Sequence, residues 1–154
     1  MDSRTPTAAR PARILIAEDT PQAAELLEAY LSGPEYELQF ASDGVETLEK
    51  VAAQRPDLIL LDVMMPRLSG FEVCKRLRAD PATRAIPILM ITALDQPLDV
   101  ERAVEAETDD FLSKPISKAE LLHRVHSLLK IRPEAGDLDR LLTYIEGVEN
   151  QEGQ

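Results

Sequence analysis

Short, fully apolar runs alternate along this chain with longer segments whose apolar residues recur at helical spacing. Three such runs, Ile14–Ala17, Leu58–Leu61 and Ile88–Ile91, are too short for helices and apolar on both faces. This pattern is typical of central strands in a parallel sheet that helices cover on both sides. Tyr36–Phe40 alternates in polarity and Asp110–Ser113 is short and mixed, as expected for strands at the edges of a sheet.

Helical patterns follow the strands, and capping residues stand at their starts. Thr20 with Pro21 opens the first helix, and Gly33-Pro34 ends it. A weaker periodicity over residues 98–106 predicts the fourth helix. The capping-box spacing, which satisfies the orphan amides of a helix start, marks the other three at Asp43 with Glu46, Ser69 with Glu72, and Ser117 with Glu120.

Five repeats of strand then helix predict an α/β fold. Right-handed crossovers then give a doubly wound parallel sheet with helices on both faces. We expect the flavodoxin-like (βα)5 arrangement with strand order 2-1-3-4-5. This domain would cover residues 13–131, preceded by a disordered arm over residues 1–12 and followed by a linker and amphipathic helical tail over residues 132–154.

Composition narrows the class of protein. A length of 154 residues allows one such domain with short extensions. No apolar run approaches the roughly 20 residues that span a bilayer, and the N-terminus lacks the apolar core of a signal peptide, so we expect a cytoplasmic protein without a membrane partner. The single cysteine, Cys74, excludes an internal disulfide and suits a reducing compartment. A net charge of −11 argues against direct binding to nucleic acid.

Polar residues end the predicted strands, where open parallel sheets bind their ligands. Glu18 and Asp19 follow the first strand, Asp62 ends the third, Thr92 the fourth and Lys114 the fifth. A single acid after a strand is usually a helix cap or a loop residue. With strands one and three as neighbours, however, three carboxylates converge, and their repulsion is unfavourable without a cation. Oxygen ligands of this kind predict a Mg²⁺ site.

The motifs at these strand ends resemble those of response regulator receiver domains. Each motif is weak alone, but the set is specific and follows the family's order over about residues 13–131. The motifs are Ile16–Asp19, Leu60–Pro66 with Gly70, Met90–Ala93 and Phe111–Pro115. The resemblance implies a phosphorylation-driven signalling switch, which is not an enzyme beyond catalysing its own phosphorylation and dephosphorylation.

The resemblance also implies roles for individual residues. Asp62 would accept a phosphoryl group from a histidine kinase or a histidine phosphotransfer protein. Lys114 and Thr92 would contact the phosphoryl oxygens, and Lys114 with Mg²⁺ would neutralise the charge of the transition state. The ligands of Mg²⁺ would be Glu18, Asp19, Asp62 and the backbone carbonyl of Met64.

A switch is implied as well. Thr92 would move toward the phosphate and Phe111 would turn inward, which changes the face formed by the fourth helix, fifth strand and fifth helix. The peptide before Pro115 is typically cis in the family. This chain departs from the family at Glu18, where aspartate is commoner, and at Glu107-Thr108, where Gly-Ala is common. Without glycine, the left-handed helix end before the fifth strand is expected to be unusual.

Other functional classes fit less well. A phosphatase of the haloacid dehalogenase type needs a second acid two residues after its aspartate, where this chain has Met64. A flavin or dinucleotide domain needs glycine amides after the first strand, where residues 18–21 offer negative charge. His123 and His126 are spaced like a metal pair, but without a third ligand they indicate a solvated helix face. A receiver that acts alone and the receiver portion of a longer regulator, with its output domain beyond residue 154, both stay open.

The tail carries a further helical pattern. Residues 132–136 break the fifth helix, and Asp137 can cap another. The apolar residues at helical spacing are then Leu138, Leu141, Leu142, Ile145 and Val148. An exposed apolar stripe needs a partner. We favour a homodimer through the face of the fourth helix, fifth strand and fifth helix, or a linker to an output module; the alternative is that the segment folds back onto its own domain or frays, because an isolated helix this short is marginal in water.

Overall fold

The computed structural model describes residues 10–93, 101–102 and 104–130. Most of the predicted N-terminal arm and the whole predicted tail lie outside this part of the chain. The described strands are β1 (Ala12–Ala17), β2 (Tyr36–Ala41), β3 (Leu58–Asp62), β4 (Ile88–Thr92) and β5 (Asp110–Ser113). The described helices are α1 (Pro21–Leu31), α2 (Gly44–Ala53), α3 (Gly70–Ala79) and α5 (Lys118–Leu129); the helical residues 101–102 and 104–105 are called α4.

All five strands are parallel, and their order is β2-β1-β3-β4-β5. This confirms the predicted flavodoxin-like fold, with the two less apolar strands at the edges. Ala17 of β1 pairs with Leu61 of β3, and Asp62 of β3 pairs with Ile91 of β4. The carboxyl ends of the three central strands therefore lie side by side, and the residues that follow them share one edge of the sheet.

Two apolar layers cover the sheet because the central strands present buried side chains on both faces. On one face, α1 and α5 pack through residues such as Leu27, Leu31, Leu121 and Val125. On the other face, α2 and α3 pack through residues such as Val51, Val73 and Leu77. None of the described helices is long and apolar enough to cross a membrane.

The three helix starts predicted from capping-box spacing are confirmed, whereas the start of the predicted fourth helix lies outside the described residues. The side chains of Asp43, Ser69 and Ser117 accept hydrogen bonds from the amides three residues on, at 2.7, 3.2 and 3.3 Å. Pro21 occupies the first turn of α1, but the side chain of Thr20 makes no capping bond there. The amide of Thr20 instead donates to Oε2 of Glu18 at 3.2 Å, so the start of α1 is tied to an acidic residue of the sheet edge.

An arginine that sequence reasoning did not single out connects the segments that enter β4 and β5, at the amino-terminal ends of the strands. The side chain of Arg78, on α3, is only 8% exposed and pairs with Asp109 at 2.6 Å. Arg78 also donates to the carbonyls of Arg84, Ile86 and Glu107 at 2.8, 2.8 and 2.7 Å. Glu107 takes a left-handed backbone conformation, with φ of 65°, so the turn expected to suffer from its missing glycine keeps the left-handed geometry. These bonds hold that turn against α3.

Candidate functional site

Three carboxylates meet where β1 and β3 end. Glu18 and Asp19 follow β1 directly, and Asp62 is the last residue of β3. One oxygen from each of the three lies within 4.8 Å of the others. Glu18 and Asp62 are buried, whereas Asp19 is exposed. This is the cluster of carboxylates that the strand ends predicted, with two buried acids and one exposed acid.

Lys114 brings the positive charge to this cluster from the end of β5. Its Nζ lies 3.1 Å from Oε1 of Glu18 and 3.9 Å from Oδ2 of Asp62. The peptide bond between Lys114 and Pro115 is cis. Lys114 is thus closer to Glu18 than to the predicted phosphate acceptor, a contact that the sequence did not indicate because the two residues lie on opposite sides of β3 in the sheet order.

The electrostatics of Asp62 are unusual for an aspartate. Its pKa is raised to about 7, first because burial penalises the charged carboxylate and then because the charge of Glu18 lies beside it. Lys114 and the amide of Met64 act in the opposite direction, since each stabilises the charged form. The surroundings therefore compensate the charged form of Asp62 only in part, and a cation bound beside it would supply the missing positive charge.

The loop after β3 is held tightly around Asp62. The amide of Met64 donates to Oδ1 of Asp62 at 3.4 Å, while Met64 itself is 71% exposed. The amide of Gly70 donates to the carbonyl of Val63 at 2.9 Å. A Cβ at Gly70 would lie 2.4 Å from the carbonyl oxygen of Asp62, so only glycine allows α3 to start this close to the acceptor.

Of the three predicted switch residues, Thr92 and Phe111 lie on the neighbouring strands β4 and β5, and Pro115 follows β5. Thr92 is the last residue of β4 and pairs with Ser113 of β5, one position beyond the pair of Asp62 with Ile91. Phe111 of β5 is half-buried and packs against the apolar layer on the α2–α3 face. Their backbone positions suit a connection between the site and the face of α4, β5 and α5, while the movement itself stays a prediction.

The two histidines do not form a metal site with other described residues. His126 is exposed and His123 half-buried on α5. Among residues 10–93, 101–102 and 104–130, the group able to hold a metal ion is Glu18 with Asp19 and Asp62. This oxygen-only donor set, with one lysine beside it, fits a hard divalent cation such as Mg²⁺, which prefers a few carboxylates and retains waters.

The sequence matches the family described as the response regulator receiver domain over residues 14–126. This chain belongs to that family, and it is therefore a receiver domain of two-component signalling, a signalling module rather than a catalytic enzyme.

Two curated relatives show how far the similarity reaches. The chain is 46% identical over 121 residues to Response regulator PleD of Caulobacter vibrioides, covering 79% of this chain and 27% of PleD. It is 41% identical over 137 residues to Response regulator MprA of Mycobacterium sp. strain KMS, covering 88% of this chain and 59% of MprA. The chain thus spans only part of the length of these relatives.

Solved structures match the fold closely. The signal receiver domain of a signal transduction histidine kinase from Syntrophus aciditrophicus has a TM-score of 0.76 at 36% identity, covering 82% of this chain and 96% of that chain. The receiver domain of a sensor histidine kinase from Pseudomonas aeruginosa PAO1 has a TM-score of 0.73 at 30% identity, covering 79% of this chain and 99% of that chain. That second structure has a magnesium ion coordinated in its active site cleft.

Proposed function

We propose that this protein is a phosphorylation-dependent switch whose phosphate acceptor is Asp62. The observation that carries the proposal is the cluster of Glu18, Asp19 and Asp62 at one sheet edge with Lys114 beside it. The donor is a phosphohistidine of a histidine kinase or histidine phosphotransfer protein, which is the class of partner that receiver domains have in general. A cytoplasmic location follows from that partnership.

The residues divide the chemistry between them. An oxygen of Asp62 forms the new bond to phosphorus as the bond to the histidine nitrogen breaks, and that nitrogen keeps the electron pair. Lys114 shifts from Glu18 toward the transferred phosphoryl group and pairs with one of its oxygens, while the hydroxyl of Thr92 donates to another. Mg²⁺, when held by Glu18, Asp19, Asp62 and the Met64 carbonyl, neutralises negative charge on the phosphoryl group. Once Lys114 has moved from Glu18 to the phosphoryl group, the Glu18 carboxylate is free to serve as a ligand of Mg²⁺.

Intact mass measurement tests the assignment of the acceptor. Incubation with Mg²⁺ and acetyl phosphate is expected to add one phosphoryl group to the wild type and none to Asp62→Asn. Asp57→Asn is the control, because Asp57 is an aspartate outside the acidic cluster. Equal incorporation in wild type and Asp62→Asn would sink the proposal, and loss of incorporation in Asp57→Asn would show that the assay reports folding.

We also propose that the output leaves through the face of α4, β5 and α5. Val104 on α4 is 70% exposed on the described part of the chain, and a partner packed on α4 would cover it. This favours pairing of that face with a second copy or with an output module of a longer regulator. Sedimentation with and without beryllofluoride tests the pairing with a second copy. The wild type is expected to dimerise more strongly with beryllofluoride, and Val104→Glu is expected to stay monomeric. Unchanged sedimentation of the activated wild type would exclude the homodimer.

A further inference from the structure

An apolar groove of about 220 Å³ lies between α1 and the turn that leads from β5 into α5. Leu26 and Tyr30 form its α1 side, and Pro115 and Ile116 its other side. Leu26 is 45% exposed although it is a large apolar residue in the middle of a helix. One end of the groove is formed by Glu18 and Lys114 of the acidic site. The described residues therefore leave an apolar surface open directly beside the site.

The helix α5, which follows the Pro115–Ile116 side of this groove, is basic, in a protein whose net charge is −11. With its C-cap, α5 carries three basic residues, Lys118, Arg124 and Lys130, against one acidic residue, Glu120. Arg124 pairs with Asp110, whereas Lys118 and Lys130 form no ion pair within the described part of the chain. The two ends of α5 thus present positive charge to whatever lies along it.

The segment after α5 has the complementary properties. Its apolar residues from Leu138 to Val148 recur at helical spacing, as the sequence shows. Asp137 and Asp139, followed by Arg140, stand at the start of that pattern with a net charge of −1, and Glu146 and Glu149 stand at its end. A helix running antiparallel to α5 would place the first pair of acids near Lys130 and the second near Lys118, so that both ends match in charge.

Length and connectivity favour the same arrangement. Only residues 131–136 separate α5 from the predicted helix, and connections of 2–8 residues typically join antiparallel neighbours in helical bundles. At about 1.5 Å per residue, α5 is roughly 18 Å long and the helix from 138 to 148 roughly 16 Å. The returning helix therefore spans the distance back to Pro115 and Ile116. The cleft between α2 and α3 lies on the opposite face of the sheet and is not reached by so short a turn.

We propose that residues 137–148 dock as a helix along α5 and over the groove between α1 and the Pro115–Ile116 turn of their own domain, with the stripe of Leu138, Leu141, Leu142, Ile145 and Val148 facing Leu26 and Tyr30. The docked helix borders the phosphorylation site on its α1 side. It covers the apolar surface there and leaves the face of α4, β5 and α5 open for output. This selects the fold-back among the roles that the sequence left open for the tail.

A nitroxide label on Thr143→Cys of the full chain tests the proposal. Thr143 lies on the side of the predicted helix opposite the stripe, and Cys74 will not react because it is buried and its thiol pKa is raised to about 11. We expect the amide signals of Leu26, Tyr30 and Ile116 to lose most of their intensity, and those of α2 to keep theirs. Loss confined to the face of α4, β5 and α5, or no loss at all, would overturn the proposal.

Two variants and one mixture separate docking from its alternatives. Leu26→Lys and Ile145→Glu are expected to restore the signals, whereas Ala52→Lys, which adds the same charge at an exposed position on α2, is expected to leave them weak. Phosphorylation by acetyl phosphate checks that each variant is folded. Isotope-labelled protein without nitroxide, mixed with unlabelled nitroxide protein, is expected to keep its signals; loss in the mixture would assign the contact to a second copy and overturn the intramolecular arrangement.

Discussion

At the scale of single residues, the fold disfavours the charged form of the Asp62 side chain. Its pKa is raised to about 7 from an ordinary value of 3.8, so between about pH 4 and pH 7 the folded metal-free protein binds more protons than the unfolded chain. The free energy of unfolding contributed by this group therefore falls as pH rises through that range. A tenfold difference in proton affinity corresponds to about 1.4 kcal/mol, so the loss is on the order of 4 kcal/mol at most.

Asp62→Asn is accordingly expected to be more stable than the wild type at pH 8 and nearly equal to it at pH 4, without Mg²⁺. Urea unfolding at a series of pH values measures this difference. Glu28→Gln, at an exposed position on α1, is the matched control and should follow the wild type. A parallel pH dependence of Asp62→Asn and wild type would contradict the origin assigned to the pKa.

Gly70 carries a second prediction at this scale. Gly70→Ala places a methyl group 2.4 Å from the Asp62 carbonyl oxygen and 2.8 Å from Cα of Val63, so the loop or α3 must shift. Overpacking of this kind costs about 1–3 kcal/mol, and here it also displaces the acceptor. Ser69→Thr adds one methyl to the preceding residue and keeps the capping hydroxyl, so it should be close to neutral. Urea unfolding and the rate of phosphorylation by acetyl phosphate measure both effects; a wild-type rate in Gly70→Ala would contradict the close fit.

At the scale of the elements, Arg78 fastens α3 to the segments that enter β4 and β5. Arg78→Met removes a largely buried ion pair with Asp109 and hydrogen bonds to three carbonyls, which is expected to cost about 3 kcal/mol. Arg76→Met is the control, since its pair with Glu72 is exposed and such pairs contribute about 0–1 kcal/mol. Urea unfolding of the two variants compares them, and equal losses would show that the network adds nothing.

The coupling from the site to the output face is also a property of the elements, because Thr92 ends β4 and Phe111 lies in the neighbouring strand β5. Phosphate gains hydrogen bonds from Thr92 and Lys114 in the proposed mechanism, and charge-assisted bonds contribute about 1.5–3 kcal/mol each. Two such bonds approach the ~5.5 kcal/mol that moves a two-state equilibrium from 1:99 to 99:1. Thr92→Ala is therefore expected to accept phosphate yet to lose most of the beryllofluoride-induced NMR shifts around Phe111. Wild-type shifts in this variant would break the proposed coupling.

Local patterns were sufficient to predict the elements, and long-range contacts were not. The apolar runs at Leu58 and Ile88 identify central strands because both faces of those strands are covered, and the caps at Asp43, Ser69 and Ser117 depend only on residues three apart. The acidic cluster was predictable once the strand order was assumed. The contact of Lys114 with Glu18 joins residues 96 apart in sequence, and no spacing rule indicates such a pair. The role of Arg78 was missed for the same reason.

For the whole molecule, the cluster of Glu18, Asp19 and Asp62 links stability to divalent cations. A ligand that binds only the folded state stabilises it by about 2.7 kcal/mol at a hundred times its dissociation constant. At about 4 °C per kcal/mol for a domain of this size, saturating Mg²⁺ should raise the melting temperature by roughly 10 °C. The rise should be larger at pH 8 than at pH 5, because protons compete with the cation for Asp62.

Calorimetry with Mg²⁺, against Na⁺ at equal ionic strength, separates specific binding from general screening of the net charge of −11. Glu28→Gln should keep the full rise and Asp62→Asn less than half of it; an equal rise in both variants, or with Na⁺ alone, would show that the three carboxylates do not form the cation site.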